Sequence, residues 1–199
     1  MRLILASGSP RRAAILDQVG LNYEVEVPGV DETRFPDEEP VKYVERIARD
    51  KALAVLVADA VVVAGDTAVV SEGRVLGKPG HPSEARSMLA RLQGATHEVL
   101  TAVAVAAHVD GEVVVHALVD QAVVEMSPMT EEEIDSYVAT GEPIDKAGAY
   151  ALQGRGGRFV DVIHGHPATV VGLPVQLLGR LFNALGIDES SLFRTGEAM

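Results

Sequence analysis

The sequence predicts a mixed α/β protein. Apolar, β-branched runs suited to strands (residues 3–6, 61–70, 97–107 and 113–126) alternate with stretches of helical apolar spacing (12–19, 40–58, 82–92, 129–138 and 174–185). With 199 residues, 47% of them hydrophobic, the chain can bury a core of its own. Its formal net charge of -12 repels a nucleic-acid backbone and points to small partners instead of a nucleic-acid polymer. Cysteine is absent, which excludes disulfide and thiolate chemistry and suits a reducing compartment. The apolar start is cut off at Ser7 before a signal-peptide core forms. Asp59 interrupts the longest apolar stretch, Ala52 to Ala64, well short of the ~20 residues a membrane span needs. A cytoplasmic protein is expected.

The first element moves from a buried strand, Leu3 to Ala6, through Ser7-Gly8-Ser9 into a helix start at Pro10. Ser9 suits the N-cap, and Pro10 loses no useful N–H at the first helical position. The free amides, the helix dipole and the adjacent Arg11 and Arg12 guanidinium groups then favour an anion there. The helix stops at Gly20, and residues 23–27 read as a strand. A polar connection follows with adjacent carboxylates at Asp31 and Glu32. Pro40 opens a helix expected to reach Ala58, in which Val44, Ile47, Ala48 and Lys51 share helical spacing. Lys51 therefore lies beside an apolar face, either as a snorkelling side chain or as a point charge reaching a phosphate.

The run Val61 to Val70 carries one acid near its middle. An unpaired carboxylate inside a sheet is costly, so Asp66 should stand at a strand end, bind metal, or be hydrogen-bonded. Gly65 leaves room for close approach of a ligand or another backbone, and Thr67 adds a hydroxyl. Residues 71–74 form a hairpin turn. The following Gly77-Lys78-Pro79-Gly80 fails as a P-loop, because the upstream glycine and the following Ser or Thr are missing, so Lys78 reads as an isolated cation at a strand end. A helix spans Pro82 to Leu92. Two long strands, His97 to Ala107 and Val113 to Met126, join around Asp110-Gly111. Met129 to Val138 is a helix with Thr130 as N-cap and three glutamates in its first turn.

The glycines from Gly148 to Gly157 imply loops and tight approaches. Phe159 stands where a dinucleotide fingerprint would need its third glycine. Within this loop the primary amide of Gln153 offers the donor and acceptor needed to read a pyrimidine edge. His164-Gly165-His166 lacks further metal ligands nearby and reads as a solvated loop. Pro174 to Leu185 is the last helix, and the polar tail, residues 187–199, is expected to fray.

Taken together, Ser7-Gly8-Ser9-Pro10-Arg11-Arg12, Val30-Asp31-Glu32, Ala48-Arg49-Asp50-Lys51-Ala52, Gly65-Asp66-Thr67, Gly77-Lys78-Pro79, His97-Glu98-Val99, Gly148-Ala149-Tyr150 with Gln153-Gly154, and Val171-Gly172-Leu173-Pro174 resemble the Maf family of nucleoside triphosphate pyrophosphatases. The likeness runs nearly from end to end. It implies one domain over residues 1–199 with an elongated mixed β-sheet flanked by helices, two lobes and a central cleft, similar to inosine-triphosphate pyrophosphatases. It also implies hydrolysis of a nucleoside triphosphate to monophosphate and pyrophosphate, a divalent cation (Mg²⁺ or Mn²⁺), and often a homodimer. Within the family, Arg11, Thr67 and Gln153 match positions that separate substrate types, and the trio is similar to the dTTP/UTP subgroup rather than the sister subgroup acting on 7-methyl-GTP. The chain departs from the subgroup in carrying Thr169 where members have Asn, and in the preceding His164-Gly165-His166-Pro167.

The expected chemistry follows. Ser7, Ser9, Arg11, Arg12, Lys51 and Lys78 bind the triphosphate, and Asp66 takes a proton from the attacking water or serves as a metal ligand beside Glu32. The uracil or thymine edge pairs with Gln153. Two other readings stand beside this one. One is a non-catalytic nucleotide-binding regulator linked to cell division, and the other is an enzyme for modified pyrimidine nucleotides.

Overall fold

In the computed structural model, which describes residues 1–193, the apolar run near the start of the chain forms β1 (Arg2–Ala6). It pairs in parallel with both β2 (Glu24–Val25) and β3 (Ala60–Ser71), and Leu3 to Ala6 are buried. β3 turns through Glu72 and Gly73, both at positive φ (50° and 74°), into the antiparallel β4 (Arg74–Leu76). A two-residue turn of this hand matches the twist of the strands it joins. Asp110 and Gly111 (φ 52° and 85°) join β5 (Thr96–Val109) to β6 (Glu112–Met126) in the same way. With β7 (Val160–His164) antiparallel to β6, the seven-stranded mixed sheet has the order β2-β1-β3-β5-β6-β7, and β4 pairs β3 off that path.

The helices are α1 (Pro10–Gln18), α2 (Pro40–Ala54), α3 (Pro82–Leu92), α4 (Glu131–Val138), α5 (Pro167–Val171) and α6 (Gln176–Ala184). Four of them begin on proline, whose missing N–H costs nothing in the first turn. α4 carries the expected cap at Thr130, completed as a capping box by Glu133. Other expectations need correction. α2 stops at Ala54, not Ala58, where β-branched Val55 and Val57 flank a turn. Ser9 sits at the N-cap of α1 without a side-chain cap bond. His164 ends a strand and pairs with Glu125 instead of lying in a solvated loop. Among the described residues no helix is long and apolar enough to cross a membrane.

The chain divides into two compact units. The first comprises Met1–Asp66, Thr101–Val119 and the segment from Gly172 onward. In it α2 buries Val44, Ile47, Ala48, Lys51 and Ala52, all on one helical face, and α6 buries Leu177, Leu178, Leu181 and Phe182. Residues 187–193 pack instead of fraying: Ile187 and Leu192 are buried, Asp188 caps a 3-10 turn over Glu189–Leu192, and the Asn22 amide donates to the Leu192 carbonyl at 2.8 Å. The rest of the expected tail lies outside the described residues.

The second unit comprises Thr67–Leu100 and Asp120–Val171. Val69, Leu89, Leu92, Val124, Ile134, Tyr137, Tyr150 and Phe159 belong to one buried cluster there. Thr169, where relatives in the subgroup were expected to carry Asn, is fully buried, and its hydroxyl donates to Asp120. His97 is also buried in this unit; Nε2 lies 2.8 Å from the Tyr150 hydroxyl, while Nδ1 has no hydrogen-bond partner.

Burial pushes the His97 pKa down to about 4. The folded protein therefore resists a proton that the unfolded chain accepts near pH 6.5, so the stabilisation is complete above 6.5 and lost as pH falls toward 4. Urea unfolding at pH 7.5 and 4.5 should show a loss of about 2–3 kcal/mol attributable to this group. His97→Gln should remove that share of the loss; an unchanged difference between the two pH values in the variant would assign it elsewhere.

Candidate active site

Asp66 lies in the interior of β3, 6% exposed, where a lone carboxylate would be costly. It is not alone. The Lys51 ammonium, arriving from the buried face of α2, donates to Asp66 Oδ1 at 2.8 Å, and the same nitrogen stands 2.9 Å from Glu32 Oε1. Of the sequence-based alternatives for Asp66, the hydrogen-bonded one holds. Lys51 is the reason, and it is 7% exposed. Burial pushes the Asp66 pKa up, against the opposing pull of Lys51 and Arg12, and Glu32 adds to the rise.

Arg12 closes the other side. Its Nε donates to the Gly172 carbonyl at 2.8 Å and its Nη1 to Ser7 Oγ at 3.0 Å. Ser7 Oγ also accepts the Ser9 amide at 3.2 Å, so the turn into α1 is held by Ser7 in place of the expected Ser9 cap. Desolvation lowers the Arg12 pKa, with Asp66 pulling it back up; a guanidinium stays charged regardless. Gly65 makes the approach possible: a Cβ there would stand 3.2 Å from Arg12 Nε and 3.5 Å from the Gly172 carbonyl oxygen. Close approach of another backbone, foreseen for this glycine, is thus realised by residue 172 and, nearer still, by the Ala102 carbonyl oxygen, 3.2 Å from the same Cβ.

Glu32 sits in the long connection ahead of α2, and two α2 side chains fix that connection. Tyr43 donates its hydroxyl to the Glu32 carbonyl at 3.0 Å. Arg46 donates to Glu38 at 2.7 Å and to the Thr33 carbonyl at 3.1 Å, and it stacks over the Phe35 ring at 4.0 Å. Burial first, then Asp66 and Glu32, push the Tyr43 pKa up to about 12. Arg46 holds the Glu38 carboxyl down at about 2. Tyr43, Arg46 and the Gly172 carbonyl were not singled out in the sequence. The first two follow Pro40 at helical spacing on the border of the buried face, the one signal that could have found them.

The first unit thus gathers Ser7, Ser9, Arg12, Glu32, Lys51 and Asp66, and it also holds Arg11 on α1. Thr67, Lys78 and Gln153 belong to the second unit, where Lys78 and Gln153 are exposed. For a cation, Asp66 and Glu32 present two hard oxygens converging on one positive centre, the donor type Mg²⁺ and Mn²⁺ use. Among the described residues no group of three or more His, Cys, Asp or Glu side chains could hold a metal. Glu32 and Asp66 are thus the pair of carboxylates here that could hold such an ion.

Residues 2–185 match the family model described as Maf-like protein. The chain is 46% identical to the dTTP/UTP pyrophosphatase of Vibrio cholerae over 92% of its length and 97% of that protein's. It is 48% identical to the dTTP/UTP pyrophosphatase of an Anaeromyxobacter species, covering 93% and 90%. The same name belongs to a Symbiobacterium thermophilum relative at 46% identity, covering 93% and 94%. Among solved structures the chain is similar to a HAM1 protein from Coxiella burnetii at a TM-score of 0.46 and 14% identity, over 92% of this chain and 99% of that one.

The Lys51 cluster has a stability signature. An acid whose folded pKa lies above its unfolded value of 3.8 opposes folding increasingly as pH rises above 3.8. Asp66→Asn should therefore melt no lower than the parent protein at pH 7.5, and its margin over the parent should narrow as pH falls toward 4. Lys51→Met leaves two facing carboxylates without their shared cation and should cost about 3–5 kcal/mol. Thermal unfolding of both variants checks the pair; a strongly destabilised Asp66→Asn would contradict it.

Proposed function

The chain belongs to the Maf family, and from that premise we propose that it hydrolyses dTTP and UTP to the nucleoside monophosphate and pyrophosphate. The observation that carries this reading is the buried Asp66 carboxylate in mid-strand, its pKa raised and its charge shared with Lys51. A carboxylate kept only for stability would be better replaced by an apolar residue at such a site. One with a raised pKa is a competent general base.

In the proposed reaction Asp66 accepts a proton from water as the oxygen bonds to the α-phosphorus. The bond from that phosphorus to the bridging oxygen breaks, and pyrophosphate leaves with the electron pair. Arriving phosphates draw the Lys51 ammonium away from its carboxylate partners, which exposes Asp66 for the proton transfer. The α1 start (Ser7, Ser9, Arg11, Arg12) supplies amides, hydroxyls and fixed positive charge for the phosphate oxygens. Glu32 and Asp66 are the residues that would hold a Mg²⁺ or Mn²⁺, which would supply charge neutralisation at the phosphates. The roles of Lys78 as a further phosphate contact and of Arg11, Thr67 and Gln153 in base selection rest on the sequence resemblance. The likeness to the dTTP/UTP pyrophosphatases supports the same substrate pair.

A panel of nucleoside triphosphates assayed with Mg²⁺ and with Mn²⁺ should give fastest turnover for dTTP and UTP, and pyrophosphate, not orthophosphate, as the first product. Asp66→Asn should lower kcat/KM by about 10²–10⁴, and a chelator should abolish turnover. Orthophosphate as first product would move the cleaved bond. Binding of dTTP without turnover under any metal would favour the non-catalytic regulator.

A further inference from the structure

Gln153 occupies a turn of the second unit that is tied down immediately before and after it. Before it, the Ala151 amide donates to the Tyr137 hydroxyl oxygen at 3.2 Å. After it, the Arg155 and Gly156 amides donate to Glu142 Oε2 and Oε1 at 3.1 and 3.0 Å. The two anchors are themselves joined, because the Tyr137 hydroxyl donates to Glu142 Oε1 at 2.7 Å. One tyrosine from the last turn of α4 and one glutamate just beyond it therefore hold the backbone on both sides of a single exposed glutamine. Burial raises the pKa of Glu142, but the Tyr137, Gly156 and Arg155 donors outweigh it and hold the carboxyl below its ordinary value.

The glycines of this turn are shaped to the same brace. Gly154 has φ 174°, an extended backbone open to any residue, yet a Cβ there would lie 2.7 Å from a Glu142 carboxylate oxygen. At Gly156 a Cβ would lie 2.4 Å from the Tyr137 hydroxyl. The glycine run after Gln153 thus encloses a carboxylate of the chain itself. Chemistry gives the brace a purpose. A primary amide can turn to match either polarity of edge, so what the brace fixes is where the Gln153 stem leaves the backbone. The N3–H and O4 edge of uracil or thymine is met from there, and a purine, whose second ring puts its edge elsewhere, is not. Discrimination needs the side chain presented from one fixed direction.

We propose that Glu142 and Tyr137 are positioning residues that hold Gln153 for base selection, and that preference for thymine over guanine depends on them. This rests on the reading of Gln153 as the base-reading residue. The test is the ratio of kcat/KM for dTTP to that for dGTP. Damage to the fold alone lowers both values together and leaves the ratio unmoved, whereas a loosened Gln153 changes it. In Tyr137→Phe, Glu142→Gln and Gly154→Ala the ratio should fall by about ten- to a hundredfold, the scale of a small misplacement at a reacting complex. Tyr137→Phe keeps the ring that packs against Phe159, and Gly154→Ala perturbs the brace without deleting a donor, so a folding failure in one leaves the others to decide. Gln153→Ala should abolish the preference, and adding Tyr137→Phe to it should change the ratio no further. If Gln153→Ala abolishes the preference while the three brace variants keep it, the positioning role is overturned and the reading of Gln153 stands. If Gln153→Ala leaves the ratio intact, that reading falls and the positioning role falls with it.

Discussion

One ammonium group organises the first unit. Lys51 reaches in from α2 to Asp66 on β3 and to Glu32 on the preceding connection, and this sharing lets two carboxylates exist side by side with one of them buried. Without that cation, Asp66 would have to neutralise or leave the strand. The requirement propagates outward. α2 must place a lysine on its apolar face, Tyr43 and Arg46 must hold the Glu32 connection against α2, and Gly65 must stay small so that Arg12 can complete the positive side. The arrangement is poised by its chemistry: the attraction that stabilises it is the same attraction any incoming anion would compete for.

Much of the fold was legible because it depends on local rules. The two short hairpin turns at Glu72-Gly73 and Asp110-Gly111, the proline helix starts and the Thr130 cap follow from residues adjacent in sequence. The face of α2 was legible too, including the place of Lys51 on it, since helical periodicity is a property of a dozen consecutive residues. β7 and α5 were not foreseen. Val160 to His164 becomes a strand through pairing with β6, a partner some forty residues earlier, and the five residues of α5 are too few to show a period. The packing of residues 187–193 was missed for the same reason: Leu192 is held by the Asn22 amide and Phe193 bridges to Leu21, both far upstream.

The candidate site divides along the same line. Asp66 stood out because an acid in a β-branched run breaks the local pattern, and Gly65 because a glycine there has a cost. Their partners did not. Nothing adjacent to Ser7 signals that its hydroxyl, not that of Ser9, receives the amide and the guanidinium, and nothing near Glu142 signals that its carboxylate fills the glycine turn after Gln153. Glycines in that turn suggested tight approach without saying to what. The answer lies a dozen residues away, beyond the reach of spacing or periodicity.

The Arg12 to Gly172 bond spans 160 residues of sequence. On a ribosome adding about 5–20 residues per second, the N-terminal turn is made many seconds before the carbonyl that orients Arg12 exists. β1 can find β3 early, and Lys51 can find Asp66, but the guanidinium waits for residue 172. The nascent polypeptide therefore carries its acid and its lysine without the finished positive side. Arg12 is thus the last of these groups to be oriented, and a chain stopped before residue 172 lacks the carbonyl that fixes its guanidinium.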